Sequence, residues 1–449
     1  NQPGTNIINK CSTTVTLGAS GDNIALASGA TQTGFGRTGT VDWETSIQTG
    51  TVTAVTGKGY FVNTTSGGIT VNLPAGVVGS IVAVSDYAST AASNNITITA
   101  NGSEKINGVN DDYPISTAGL AVTLVYADAA RGWKSVTGSD ADATGIVPAY
   151  VVATGGTPCA GATSGDYKIH TFTGPGSLVV SDAGNAGGSN TLDYMVVAGA
   201  GGGGSNGGGG GAGGFRESVP SPAAWTASPI AKSAGGITAV ASSYSIVVGG
   251  GGAGSPGSPT CGVKGNDSSF STITSTGGGK GGGWATPGGG GGDGGSGGGG
   301  GMPAPGGSLY CGGAGDTPDT TPDQGKPGGQ GWHESGVSSW GGGGGGATVA
   351  GFNGTPSENG GNGGTGATTS ISATPTAYAG GGGGRPNSPV SGTGGTGGGG
   401  DAGGPQSPSN AGVAGIVNTG GGGGGGSNVS PCVGAGGGSG IVIIRYKFQ

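Results

Sequence analysis

Charge is what this chain has least of. Asp, Glu, Lys and Arg make up 8% of its 449 residues, against about 25% in an ordinary globular domain. The 15 Lys and Arg are outnumbered by 22 Asp and Glu, giving a net charge of −7. That composition argues against a nucleic-acid partner, because phosphate contacts need clustered basic side chains. Long apolar runs are missing too. The most strongly apolar, Ile441-Val442-Ile443-Ile444, is strand-sized and far below the ~20 residues of a membrane span, so no membrane insertion is expected. Histidine occurs only as His170 and His333, too far apart in sequence to suggest a catalytic pair, and no Ser/His/Asp or Cys/His grouping is visible. No enzyme activity and no cofactor are expected. Five cysteines, Cys11, Cys159, Cys261, Cys311 and Cys432, match no zinc spacing, and no metal site is expected. With Asn1 in first position, no targeting signal can be read.

What the chain has is glycine: 120 of 449 residues, about a quarter, against roughly 7% in average usage. Interior glycines cost a helix about 0.8–1.0 kcal/mol each relative to alanine, which nearly excludes helix from the second half. Glycine gathers in runs, at 199–214, 277–301, 341–346, 380–384, 397–404, 420–426 and 436–438. Cys261, Cys311 and Cys432 lie in this half, where a disulfide would staple loops that have little core. Small buried thiols are the other reading.

In chain order, residues 1–56 carry short alternating segments such as Thr13 to Leu17, each too small to enclose a core. They read as the end of a trimerising β stem whose upstream part is expected to precede Asn1. From 57 to 137, Tyr60-Phe61-Val62, Ile69 to Leu73, Ile81 to Val84, Ile96 to Thr99, Val122 to Tyr126 and Trp133 to Val136 read as six strands with short turns. That spacing predicts a small sandwich or barrel. Residues 138–165 read as a linker with one strand candidate at Tyr150-Val151-Val152. Residues 166–449 read as one domain. Tyr167 to Thr173 and the closing Gly440 to Tyr446 are expected to meet in one sheet, framing the glycine runs.

Three structures compete for those runs. Flexible linkers would come once or twice between domains, not repeatedly inside a framed unit. Collagen needs a strict Gly-X-Y repeat with abundant proline, which is absent. Packed polyproline-II-like helices, with three residues per turn, must be all glycine where neighbours surround them. At a boundary they can carry a side chain at every third position, as in Asn359, Asn362, Thr365 and Thr368, or Thr393 and Thr396. The fold class expected is therefore all-β plus glycine-rich helices of this kind.

Motifs are few. Gly199 to Gly204 follows a strand and formally fits a dinucleotide fingerprint, but more glycine follows where the mechanism requires a helix. Lys280 is not part of a phosphate loop. Asp316, Asp319 and Asp323 offer calcium-type oxygen donors, with a solvated loop as the ordinary reading. The group that stands out is Trp284, Tyr310, Trp332, His333, Trp340, Phe352 and Tyr378, all at ends of glycine runs. Such rings stack on sugar faces or anchor protein partners, and Arg385 would add bidentate recognition of acidic groups. The other reading is that the rings plug the ends of a glycine bundle.

At Tyr194 onward, Gly213 to Glu217, Phe270 to Ile273 and Ser439 to Tyr446, the chain resembles the glycine-rich domain found at the ends of bacteriophage tail fibres and adhesins. Residues 57–137 look like a β module recurring in tail-fibre proteins, on Gly59 to Thr64, Ile69 to Gly76, Asn101 to Ile106 and Leu124 to Tyr126. The resemblance implies a homotrimeric fibre on the virion, joined to an upstream tail-fibre or baseplate protein. Its distal tip would bind a bacterial surface glycan or outer-membrane protein, with polyglycine helices as in related adhesin tips. Two other classes stay open. One is ice binding, since springtail antifreeze proteins also pack polyglycine helices behind threonine-bearing faces, and the other is a polymerising extracellular matrix fibre.

Overall fold

In a computed structural model, the described residues are 41–137, 148–284, 288–303, 309–334, 338–355, 360–386, 390–404, 411–427 and 433–449. The expected stem falls outside them except for its last residues. They are all-β, in several small open sheets, and fall into two compact units, one before residue 147 and one from it onward.

The first unit contains β1 (Asp42–Trp43), β2 (Val52–Thr53), β3 (Lys58–Val62), β4 (Ile69–Asn72), β5 (Ile81–Asp86), β6 (Ile96–Thr99), β7 (Tyr113–Ile115), β8 (Ala121–Asp128) and β9 (Gly132–Ser135). One sheet runs β1-β3-β5-β8-β9 and the other β2-β4-β6-β7. The chain alternates between them strand by strand from β1 to β6. Neighbours in each sheet are therefore parallel, β3 on β5 and β4 on β6, until β7 and β8 return antiparallel. A small sandwich or barrel was the expectation; the two sheets stay open, and the chain winds from one to the other. The alternating Val, Ile and Thr of these strands fit parallel pairing as well as antiparallel. Val62, Val84 and Leu124 from one sheet and Val71, Ile98 and Ile115 from the other share one buried core with Trp133. The boundary at residue 57 also moves: β1 and β2 lie in the expected stem, yet pair with β3 and β4.

The second unit opens with β10 (Val151–Thr154) and β11 (Thr157–Ser164), so the later half of the expected linker is folded. β10 pairs with β13 (Gly176–Ala183), and β11 with β12 (Tyr167–Phe172). β14 (Thr191–Val197), β15 (Phe215–Val219), β16 (Lys232–Ser233), β17 (Ile237–Thr238), β18 (Ser243–Val247), β19 (Ser268–Phe270) and β20 (Ile273–Ser275) follow. Two hairpins, β21 (Trp332–Glu334) with β22 (Ser338–Trp340) and β23 (Ala367–Thr369) with β24 (Thr376–Tyr378), precede β25 (Ile441–Lys447). One sheet runs β10-β13-β18-β19-β20 and the other β11-β12-β25-β14-β15-β16, with β17 on β14.

The last strand thus sits between β12 and β14, antiparallel to both, with Phe172 opposite Val442 and Val197 opposite Ile441. Its alternate faces explain why it reads as an unbroken apolar run rather than a polar-apolar alternation. Val442, Ile444 and Tyr446 pack against Leu178, Ile246 and Phe270 of the other sheet. Ile441 and Ile443 turn the opposite way, onto Phe215, Ala347, Ile371 and Tyr378. A strand buried on both faces has no solvent side to mark it.

Beyond β14 the glycine runs bond sideways to one another, and the partner repeats every third residue. The amides of Gly199 and Gly202 donate to Asn266 and Val263. Those of Ala200 and Gly203 donate to Gly438 and Ala435, and those of Gly201 and Gly204 to Gly211 and Gly208. The run after it obeys the same rule: Gly208 and Gly211 donate to 282 and 279, Gly209 and Ala212 to 342 and 345, Gly210 and Gly213 to 423 and 420. Three different neighbours therefore enclose each inner segment, and at its glycines only hydrogen fits in place of a side chain, with Ala200 and Ala212 as buried exceptions. A Cβ on Gly209 would stand 2.1 Å from the carbonyl oxygen of Gly382, and one on Gly344 2.0 Å from that of Gly210. Outer segments relax the rule once per three residues. Asn362, Thr365 and Thr368 are exposed while the residues between them are buried.

Candidate functional site

The hydrogen-bond register gives the glycine body two ends. At one, Val197, Phe215 and Ile441 join it to the sheets. At the other, the runs finish together: the amide of Arg385 donates to Gly207, that of Trp284 to Ser205, and that of Gly341 to Arg385. This far end is where most of the sequence-predicted group collects. Trp332 opposes Trp340, and His333 opposes Ser339, across the β21–β22 hairpin. Tyr310 bridges to Gly331, and its ring fills the space a Cβ on Gly289 would need. Trp284 and Trp332 are 37% and 38% exposed, and Leu309 is exposed beside Tyr310. Phe352, 55% exposed, lies on an outer segment whose amide donates to Asn362.

Three of the group play a different part. Tyr378 belongs to the opposite end, buried among Ile443, Phe215 and Ile371 beneath the sheet. Trp340 is buried, and its Cβ sits where a Cβ on Gly354 would fall. It closes the bundle rather than facing outward. Arg385 is also buried, its Nη1 donating to the sulfur of Met302 at 2.7 Å. It is not placed for bidentate recognition of an external acid. Met302 was missed in the sequence, although it ends the 297–301 glycine run as Arg385 ends the 380–384 run. A large residue terminating a run is the signal that would have found it.

His333 Nδ1 lies 2.7 Å from the Ser339 hydroxyl. Its Nε2 and the indole nitrogen of Trp340 are buried without a hydrogen-bond partner among the described residues. His170 has a structural role in the sheets. Its Nδ1 is 2.7 Å from the carbonyl of Gly155, which can only accept, so this nitrogen carries the proton; Nε2 then accepts from the Tyr446 hydroxyl at 3.1 Å. Burial pushes its pKa down, which keeps the ring neutral. Asp316 turns its oxygens inward, accepting from the amides of Thr320 and Gln324, while Asp323 pairs with Lys326. The expected staple through Cys311 is not made, since that thiol is free and exposed. The thiol of Cys261 is directed at the carbonyl of Gly288, 3.9 Å away, and Cys432 lies outside the described residues.

The sheet-framed unit and its glycine body coincide with a family. The model of the glycine-rich domain family matches residues 185–447, more than half of the chain, and the chain belongs to that family. No curated protein matches it.

Proposed function

We propose that this chain is the distal part of a trimeric phage tail fibre, carried on the virion, whose glycine-rich unit binds a bacterial surface glycan or outer-membrane protein. In this reading the glycine runs are polyproline-II-type helices, three residues per turn, packed into a rigid lattice. The observation that carries it is the far end of the glycine body, where neighbouring runs finish and where Trp284, Tyr310 and Trp332 stand among the few large side chains of a structure made mostly of glycine. Rigid aromatic anchors on a pre-organised support bind with little loss of conformational entropy. No catalysis and no cofactor are assigned.

The test is binding of the fluorescently labelled full chain to a panel of bacterial strains, with light scattering on the same sample. A saturable signal on particular strains, lost in Trp332→Ala and Trp284→Ala while the melting temperature holds, supports the reading. Uniform or absent binding across a broad panel, or a monomer by scattering, counts against it.

One observation favours a second reading, ice binding. The exposed row Asn362, Thr365 and Thr368 lies beside Thr393 and Thr396, joined by hydrogen bonds from Gly363 to Thr393 and from Gly366 to Thr396. Thermal hysteresis that disappears in Thr365→Lys would support it.

A further inference from the structure

At the sheet end of the second unit, far in register from the run ends discussed above, lies a cleft of about 460 Å³. That volume falls within the roughly 300–1,000 Å³ of small-molecule sites. Its wall carries Tyr167, Ser189, Thr191, Asp193, Thr238 and Lys447, drawn from the paired strands β12, β14, β17 and β25 and the turn before β14. No large aliphatic side chain lines it. Hydroxyls dominate, and the one carboxylate and one ammonium offset each other.

The carboxylate is the unusual member. Asp193 is only 3% exposed, and its Oδ1 accepts the hydroxyl proton of Ser218 at 2.7 Å. A Cβ on Gly236 would come within 2.9 Å of that same oxygen and 2.4 Å of the Thr191 methyl. Glycine is thus what leaves room beside the acid. The nearby guanidinium of Arg445 lies over the rings of Tyr167 and Trp225, 4.9 and 4.5 Å from their centroids. It donates to the carbonyls of Ser370 and Ile371, so it is held in place as a fixed positive charge rather than a mobile partner. Burial, the largest influence, pushes the Asp193 pKa up to about 6, so near that pH the group both accepts and donates.

We infer that this cleft binds a neutral, hydroxyl-rich ligand the size of one or two saccharide units, with Asp193 accepting from vicinal hydroxyls, Lys447 donating to ring or hydroxyl oxygens, and Tyr167 presenting its ring edge and hydroxyl. Charge balance across the cleft disfavours a net anion or cation, and Gly236, whose missing side chain would crowd Thr191 and Asp193, leaves room for a pyranose ring. The assignment does not rest on the far-end reading of the aromatic group.

Isothermal titration of the full chain with glucose, galactose, mannose, N-acetylglucosamine and their common disaccharides tests it. Glycine and glycine betaine serve as zwitterionic controls. Binding of at least one saccharide is expected, weakened tenfold or more, a change of about 1.4 kcal/mol, in Thr238→Trp, which fills the cleft from an exposed strand position. Lys447→Met should also weaken it, whereas Trp332→Ala at the far end should leave it unchanged. If no saccharide binds, if binding survives Thr238→Trp in a chain that melts normally, or if the zwitterions bind more tightly, the assignment is overturned. Loss of bacterial binding in Trp332→Ala with saccharide binding intact separates the two sites.

Discussion

A Cβ built on Gly210 would stand 2.0 Å from the carbonyl oxygen of Gly201, while the next amide along, that of Gly211, donates to Gly279 at 2.8 Å. Backbone meets backbone here, so no side chain can move aside. Gly250 has the opposite surroundings, with nothing nearer its Cβ position than the side-chain Nδ2 of Asn266 at 3.7 Å. Gly210→Ala should therefore destabilise by about 1–3 kcal/mol or more, the usual cost of overpacking. Gly250→Ala should be neutral or stabilise by about 0.4–1 kcal/mol through the unfolded chain. Calorimetric melting of both variants checks this, and equal effects would contradict the account.

Asp193 gives a pH signature. Its folded pKa of about 6 lies above the ordinary 3.8, so between those values the folded state holds more protons than the unfolded one. Its contribution to stability is complete below about pH 4 and is lost as pH rises through 6. Asp193→Asn keeps an acceptor for Ser218 and removes the buried charge. It should raise stability at pH 7.5 by on the order of 2 kcal/mol and leave it nearly unchanged at pH 4. Urea titrations at the two pH values measure the difference, and a gain at pH 4 equal to that at pH 7.5 would refute the assignment of charge burial.

Trp133 anchors the first unit. It is fully buried, packs edge-on against Tyr126 at 5.6 Å, and its indole donates to Glu104, which also accepts the amide of Gly76. Trp133→Ala should cost about 3–5 kcal/mol and abolish the melting transition of that unit. The transition of residues 148–449, with its own cores, should survive. Joint loss of both transitions would show that the two units do not fold separately.

The free thiol of Cys311 is exposed on an outer glycine segment. It should react with a maleimide in the native state at the rate of an accessible cysteine. Mass spectrometry of the labelled, undenatured chain reads this directly, and protection of Cys311 until denaturation would contradict its placement.

The frame was legible in the sequence where alternation or apolar runs marked it: Tyr167 to Phe172 and Ile441 to Lys447 pair as expected because both ends of the unit carry strand patterns. Winding in the first unit was not legible, since Ile69 and Ile96 look the same whether the next strand arrives parallel or antiparallel. Thr157 to Ser164 was hidden by its Gly, Pro and Ala, which carry little strand signal. In the aromatic group, sequence position at a run end gave no clue to which end of the bundle was meant. That is why Tyr378, beneath the sheet, was grouped with Trp332 at the far end. Arg385 shows the same limit: a charge interrupting glycine reads as exposed until Met302 is placed against it.

Amide hydrogen exchange on the intact chain, read peptide by peptide, tests the central claim most directly. If the glycine runs form a laterally bonded core, residues 208–213, 342–346 and 380–384 will exchange as slowly as β14 and β25, although they contain almost no side chains. Exchange of those runs at the rate of an unstructured chain, with β14 and β25 still protected, would contradict it.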